Sequence, residues 1–172
     1  MAVHPVCIRE ARVQFSHGPK RKVTGQVLEA GVRFSHGSPM NGFLDHILIN
    51  VTNPKISFSF YKDFLKYLGY TIIADESDYI AARKGGTADL WIVQTDPKYA
   101  KGKFHRKNTG LNHLAFRVSS RGGVDRFCNE FLKPRNIPTL YFSPKEFPEY
   151  TKNYYAVFFE DPDRIKLEIM VR

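Results

Sequence analysis

The sequence predicts an α+β protein made of two successive units, each with the order strand, helix and three strands. Short runs of alternating apolar and polar residues are typical of half-buried strands, and two longer segments have apolar residues at helical spacing. The same order of elements occurs twice between Gly42 and the end of the chain. A hydrophobic content of 42% and an aromatic content of 14% indicate a folded protein with a substantial core.

The first unit begins with a strand over residues 43–51. Side chains alternate along a strand, so its two faces differ. The apolar face carries Ile47, Ile49 and Val51, and the opposite face carries His46, Leu48 and Asn50. Asn53 and Pro54 are typical of a helix start, and Gly69 is typical of a helix end. Three further strands are predicted at 70–74, 79–82 and 89–95.

The second unit has the same order. Its first strand, at 111–118, carries His113, Ala115 and Arg117 on the polar face. A helix follows Ser119 and Ser120 and is predicted to stop at Pro134. Later strands are predicted near 139–142, 154–160 and 165–171. In the last strand Lys166, Glu168 and Met170 lie opposite an apolar face.

The two units align with each other at both ends. His46 and His113 each begin the pattern His-aliphatic-x-apolar-x-Val, and Trp91 aligns with Glu168 in the final strands. The second unit is the longer one, and the extra residues are predicted to form a loop at 143–152. The alignment indicates an internal duplication.

Residues 1–41 differ from the rest and are predicted to form a basic, loosely ordered extension. Residues 1–39 hold six Lys or Arg against two acids, and Met40 is a candidate natural start. No secretory signal and no apolar run of bilayer-spanning length is present. Two cysteines in dissimilar contexts fit a reducing, cytoplasmic setting.

The net charge of +9 raises the question of a nucleic-acid partner. The most basic internal segment, residues 98–107, interleaves Tyr99 and Phe104 with lysines and arginine. Such a segment suits either a phosphate-binding surface with stacking or a solvated linker, and its place between the two units favours the linker. A nucleic-acid partner is therefore not expected.

The internal alignment places four side chains at equivalent positions opposite the apolar faces: His46, Trp91, His113 and Glu168. If the two units curl around one cavity, these positions converge. Two imidazoles and one carboxylate then form a three-ligand metal site with open coordination positions, walled by Trp91. The alternatives are hydrogen-bonded structural histidines and an ordinary ion pair between Glu168 and Arg117 or Lys166.

The sequence resembles the vicinal oxygen chelate superfamily, which includes glyoxalase I, bleomycin-resistance proteins, fosfomycin thiol transferases and type I extradiol dioxygenases. The resemblance lies in residues 44–51, 111–118 and 158–168, and in Phe60-Tyr61 with Leu68-Gly69. It covers residues 42–172, as one module at about 43–97 and another at about 110–172. It implies a glyoxalase-like fold in which two βαβββ modules form a cupped mixed sheet around a central cavity. It also implies metal ligands at His46, His113 and Glu168, and a homodimer.

The function expected from this resemblance is that of a divalent-metal-dependent dioxygenase, lyase or transferase acting on a small oxygen-rich or aromatic substrate. The basic side chains of Arg117 and Lys166 would attract an anionic one. Glyoxalase I has a fourth carboxylate ligand where Trp91 stands, which argues against its isomerase chemistry. Fe(II), Mn(II), Zn(II) and Ni(II) are all candidate metals, and no catalytic residue is assigned. The expected substrate contacts are Trp91, Asn50, Arg117, Lys166 and Tyr155. The alternative is a metal-free, ligand-sequestering protein of the bleomycin-resistance type.

Overall fold

The structure is a computed structural model that describes residues 42–102 and 104–172. The predicted extension at 1–41 lies outside the described residues. Within them the chain forms the two predicted βαβββ modules. The first module consists of β1 (His46–Val51), α1 (Pro54–Tyr67), β2 (Thr71–Asp75), β3 (Tyr79–Arg83) and β4 (Asp89–Gln94). The second consists of β5 (His113–Arg117), α2 (Arg121–Phe127), β6 (Thr139–Glu146), β7 (Tyr155–Glu160) and β8 (Lys166–Val171).

Each module has a four-stranded mixed sheet with the same strand order. The orders are β1-β4-β3-β2 and β5-β8-β7-β6, and in both sheets the first two strands are parallel while the others are antiparallel. Leu48 pairs with Trp91 in the first sheet, and Ala115 pairs with Glu168 in the second. Trp91 and Glu168 therefore occupy the same position in the two modules, which confirms the alignment made from the sequence.

The helix boundaries follow from local chemistry. The Asn53 side chain accepts a hydrogen bond from the backbone N–H of Ile56 at the start of α1, and Ser120 accepts one from Gly123 at the start of α2. The regular part of α2 ends at Phe127, ahead of the predicted stop at Pro134, which lies in a later 3-10 turn. The chain continues as a π-helical turn (Cys128–Leu132) and a 3-10 turn (Lys133–Arg135).

The apolar faces of both modules join in one core. Phe64 of α1 is fully buried, and its ring centroid lies 5.2–5.9 Å from four aromatic rings of the second module. These rings belong to Phe116, Phe127, Phe131 and Phe159. Since side chains alternate along strands, the opposite faces of the two sheets point away from this shared core.

The opposite face of the second sheet is covered by its own chain. Phe147, Ala156, Phe158 and Met170 form a second apolar cluster there. The extra residues of the second module lie in this region, as predicted, but β6 continues to Glu146 where a loop was expected. The register of the pairing between β6 and β7 shifts between Leu140 and Lys145. Within this irregular stretch, the Ser143 hydroxyl donates to the carbonyl of Leu140 and accepts the N–H of Phe158, and so holds β6 against β7.

Within residues 42–102 and 104–172, the corresponding face of the first sheet is open. Leu48 of β1 is 53% exposed, whereas Glu168 of β8 is 1% exposed. The two modules thus share an architecture but differ in what covers this face. No helix within the described residues is long and apolar enough to cross a membrane.

Candidate metal centre

Glu168 is a buried carboxylate with two side-chain partners. The Tyr154 hydroxyl donates to its Oε1 at 2.7 Å, and the Nε2 atom of His113 lies 3.1 Å from its Oε2. Among the described residues, Glu168 forms no ion pair with Arg117 or Lys166. The alternative considered from the sequence, an ion pair of Glu168 with Arg117 or Lys166, is therefore not what accommodates this carboxylate. An imidazole and a phenol do so.

Each of the two candidate histidines is oriented by the residue before it. The Nδ1 atom of His113 lies 2.8 Å from Asn112 Oδ1, and the Nδ1 atom of His46 lies 2.8 Å from Asp45 Oδ2. Asn112 donates its amide to the carbonyl oxygen of Arg106 at 3.1 Å, which fixes its oxygen toward the imidazole. Nδ1 is thus the donor nitrogen in both rings, and Nε2 remains for a ligand. Oriented imidazoles of this kind are typical of metal ligands.

The contact between His113 and Glu168 places two acceptors together. With Nδ1 protonated, a neutral His113 presents the lone pair of Nε2 to a carboxylate oxygen, and a proton or a metal ion must neutralise that contact. Burial lowers the pKa of His113, and the nearby charge of Lys166 lowers it further, against the opposing effect of Glu168. These influences favour the neutral ring. The donor set of Nε2 and Oε2 therefore fits a divalent cation.

His46 is not close to this pair within the described chain. Its side chain is 52% exposed on the open face of the first sheet, and its described polar partner is Asp45. Residues 42–102 and 104–172 contain no group of three His, Cys, Asp or Glu side chains placed to hold one metal ion. The convergence expected from the sequence is not met within one chain, because the modules pack through the faces opposite to those that carry the histidines.

Lys166 is a cation whose charge acts on His113. It is 9% exposed, and its Nζ atom lies 5.7 Å and 5.4 Å from the ring centroids of Tyr141 and Phe158. Its backbone is paired with His113 across β5 and β8. An ammonium group held against two aromatic faces beside a buried carboxylate and an imidazole can bind an anionic oxygen.

The structure corrects the position of Tyr155. Its hydroxyl donates to Asp125 Oδ1 of α2 at 2.7 Å, and its ring packs against the main core. Burial and this hydrogen bond raise the pKa of Tyr155 to about 12. Since alternate residues of a strand face opposite sides, Tyr154 faces Glu168 and Tyr155 faces away from it.

The remaining predicted contacts lie at three other places. Trp91 packs against Tyr79 on the open face of the first sheet, with ring centroids 5.6 Å apart. Asn50 is exposed at the end of β1 and lines a cavity next to the segment between the modules. Arg117 is exposed and lines a different cavity of about 310 Å³. None of the three has a described contact with His113 or Glu168.

The cavity beside Arg117 is formed by both modules. Its walls are mainly apolar side chains, and Lys84 and Arg117 supply two positive charges. The Lys84 ammonium donates to the carbonyl of Leu68 at 2.6 Å, which caps the end of α1. The apolar walls include Leu68, Tyr70, Leu90, Leu114 and Phe116.

Asn112 was not assigned a role from the sequence, and of the two candidate tyrosines, Tyr154 and Tyr155, the sequence interpretation placed only Tyr155 among the substrate contacts. Asn112 orients His113, and Tyr154 holds Glu168. A signal for Asn112 was present, because each candidate histidine follows an Asp or Asn in the chain. No comparable signal singled out Tyr154, since its neighbour has the same side chain and only the strand phase distinguishes them.

Comparison with known proteins identifies the family. Residues 43–169 match the model of the Glyoxalase/Bleomycin resistance protein/Dioxygenase superfamily. The chain therefore belongs to this superfamily, as its paired βαβββ modules and its sequence motifs predicted.

Individual relatives agree with this assignment. An uncharacterized protein of Bacillus subtilis is 37% identical over 127 residues, which are 74% of this chain and 97% of the relative. The crystal structure of a candidate glyoxalase from Bacillus halodurans is 42% identical, with a TM-score of 0.70 over 77% of this chain and 97% of the other. A fosfomycin resistance protein from Listeria monocytogenes is 20% identical with a TM-score of 0.54, over 76% and 93% of the two chains, and shows likeness in fold alone.

Proposed function

We propose that this protein is a divalent-metal-dependent enzyme acting on a small, oxygen-rich or aromatic anionic substrate, with reaction chemistry of the dioxygenase, lyase or transferase type. His46, His113 and Glu168 are the proposed metal ligands. The observation that carries the proposal is the contact of 3.1 Å between His113 Nε2 and the buried Glu168 Oε2. Asn112 and Tyr154 hold the two side chains in place for a shared cation.

The third ligand is proposed to come from a second copy of the chain. The ring of His46 is oriented by Asp45, and among the described residues its Nε2 has no hydrogen-bond partner. The residue stands on a face that points away from the core shared by the two modules. The same face carries the exposed side chain of Leu48 and the partly exposed ring of Trp91, and contact with another copy would bury both. In such a homodimer, the open first sheet of one copy supplies His46 to the His113–Glu168 pair of the other.

A divalent ion bound by two imidazoles and one carboxylate would polarise two neighbouring oxygens of a substrate at its open positions. The protein's own part is to bind and orient that substrate. Lys166 offers a positive charge beside the ion site, held against Tyr141 and Phe158. Trp91 would wall the site from the other copy in the proposed dimer.

The test is metal content after reconstitution. Purified protein is incubated separately with Fe(II), Mn(II), Zn(II) or Ni(II), desalted and measured by elemental analysis, with about one ion per chain expected for the preferred metal. Glu168→Ala is expected to lose the metal. The control Glu76→Ala removes an exposed carboxylate from the turn between β2 and β3 and should retain it. Less than about 0.2 equivalents for all four metals would overturn the proposal.

A metal-free, ligand-sequestering protein is the second candidate. The cavity of about 310 Å³ between the modules favours it, because apolar walls with Lys84 and Arg117 suit an apolar anion without any metal. Binding of the fluorescent anion 8-anilinonaphthalene-1-sulfonate is the measurement. Affinity that is unchanged by EDTA and weakened by Arg117→Ala would support sequestration, whereas loss of binding with EDTA would contradict it.

A further inference from the structure

A second cavity, of about 600 Å³, lies between the segment that joins the modules and the turn before β8. We call it the linker pocket. Neither His113 nor Glu168 lines this pocket. The lining residues that matter for its chemistry are Asn50, Thr52, Tyr99, Lys101, Phe104 and Arg164.

One wall of the linker pocket is a series of hydrogen-bonded turns. The Asp96 carboxylate accepts the backbone N–H of Lys98 at 3.0 Å, and the carbonyl of Asp96 accepts that of Tyr99 at 2.8 Å. The carbonyl of Tyr99 then accepts the N–H of Gly102 at 3.1 Å. A side chain at Gly102 would come within 3.3 Å of that carbonyl oxygen, so glycine permits the close turn. Tyr99 is presented from this wall with 64% of its surface exposed.

The opposite wall is a turn fixed by two aspartates. Asp161 Oδ1 accepts the backbone N–H groups of Asp163 and Ile165 at 2.9 Å and 2.7 Å. The Asp163 carboxylate accepts hydrogen bonds from the Thr52 N–H, the Thr52 hydroxyl and the Ser57 hydroxyl, which tie the turn to the first module. Arg164 has a left-handed backbone with φ of 69°, and its side chain is 68% exposed.

The lining holds more cations than acids, although Arg164 also pairs outside it: its Nε donates to Glu160 Oε2 at 3.3 Å, and Glu160 in turn pairs with Arg106. Lys101 and Arg164 are the cations of its lining, and Asp163 is its acid. The acceptor atoms of Asp163 are already engaged by Thr52 and Ser57, so this carboxylate is directed toward the first module. Within the described residues, Lys101 has no ion-pair partner. The lining thus combines two aromatic rings with an excess of positive charge.

We propose that the linker pocket binds a small planar aromatic molecule that carries a phosphate or carboxylate group. The ring stacks on Tyr99 and contacts Phe104, and the anionic group lies between Lys101 and Arg164. A volume of about 600 Å³ is within the range of small-molecule sites. A solvated linker accounts for the lysines of this segment, but it does not account for two aromatic side chains that line the same concave surface.

Isothermal titration calorimetry of the full chain with two aromatic anions, adenosine monophosphate and benzoate, tests the proposal. Adenosine supplies a ring without an anion, and inorganic phosphate supplies an anion without a ring. At least one aromatic anion is expected to bind with a Kd near or below about 1 mM and at least about tenfold more tightly than adenosine and phosphate. Binding of adenosine monophosphate would identify a phosphate ligand, and binding of benzoate would identify a carboxylate ligand.

Matched variants localise the binding. Tyr99→Ala should weaken it about tenfold, while Tyr99→Phe keeps the stacking ring and should stay within about twofold of the natural protein. Lys101→Ala should also weaken binding, whereas Lys107→Ala removes the same charge from the same segment outside the pocket lining and should not. Circular dichroism melting checks that each variant is folded.

Three outcomes would overturn the proposal. One is no binding of either aromatic anion at about 10 mM. Another is equal weakening by Lys101→Ala and Lys107→Ala, which would indicate general charge attraction. The third is preferential binding of a single-stranded oligonucleotide with equal contributions from both lysines, which would indicate an extended nucleic-acid surface. The metal content of the protein is unaffected in all three, so the proposed enzyme function is tested separately.

Discussion

Tyr154 and Glu168 form a hydrogen bond of 2.7 Å that occupies one carboxylate oxygen and leaves the other beside His113. Burial raises the pKa of Tyr154, and the bond to Glu168 raises it further. The phenol therefore remains protonated at neutral pH and acts as a donor. This pair gives the two oxygens of Glu168 different environments, one fixed by the protein and one available to a ligand.

Tyr154→Phe is expected to weaken metal binding about tenfold, because loss of a group that holds a ligand typically costs 10–100-fold in affinity. The measurement is a competition titration against a chromogenic chelator. Tyr155→Phe is the control: it removes the bond to Asp125 on the other side of the strand and should leave metal affinity unchanged. Equal affinities for Tyr154→Phe and the natural protein would show that the bond has no role in holding the ligand.

Mixing of two inactive variants tests whether the ligands come from two copies. His46→Ala and Glu168→Ala are each expected to lose metal binding when alone. In a mixed dimer, one site receives His46 from the Glu168→Ala chain and the intact pair from the other chain. Random exchange of subunits should therefore restore about a quarter of the sites.

Elemental analysis after incubation of the two variants together measures this recovery. A mixture of His113→Ala with Glu168→Ala is the matched control, because both changes fall on the same half of the proposed site and no combination restores it. Recovery in neither mixture, together with a monomeric mass in solution, would rule out the shared site.

Phe64→Ala is expected to lower the free energy of unfolding by about 4 kcal/mol, since it removes a fully buried aromatic ring from a close-packed core. Phe64 touches four rings of the other module, so the loss weakens the packing between modules as well as within the first. Urea denaturation gives the value. Phe142→Ala, at a side chain that is 97% exposed, should change it by less than about 0.5 kcal/mol.

Asp161 predicts a pH dependence of stability. Burial raises its pKa from 3.8 to about 6, despite hydrogen bonds that oppose the shift. The folded state therefore holds this proton more tightly than the unfolded state, so the stabilisation is fully present below pH 3.8 and is lost as the pH rises through about 6. Asp161→Asn keeps an oxygen for the two backbone N–H groups but does not titrate.

Between pH 4 and pH 7, the natural protein should lose on the order of 2 kcal/mol of stability relative to Asp161→Asn. Urea denaturation of both proteins across this range is the measurement. Parallel stability curves would mean that Asp161 has the same pKa in the folded and unfolded states.

The sequence alone determined the order of the elements and the equivalence of the two modules. Alternating residues placed Ile49 and Leu167 toward the core and His46 and Glu168 away from it, because strand geometry links sequence parity to sheet face. Asn53 marked the start of α1, since its side chain caps an unpaired N–H. These are local properties, and each is carried by residues close together in the chain.

Only the tertiary structure decided what meets at the candidate site. The alternation of side chains along the strands assigns each residue to a sheet face, but it does not show which faces of the two modules pack together. Packing through the histidine faces and packing through the opposite faces would both bury apolar side chains. Phe64 settles this within the described chain, since its contacts with four rings of the second module direct His46 and His113 away from a common cavity. The choice of Tyr154 over Tyr155 likewise depends on the phase of β7, which its pairing with β8 fixes.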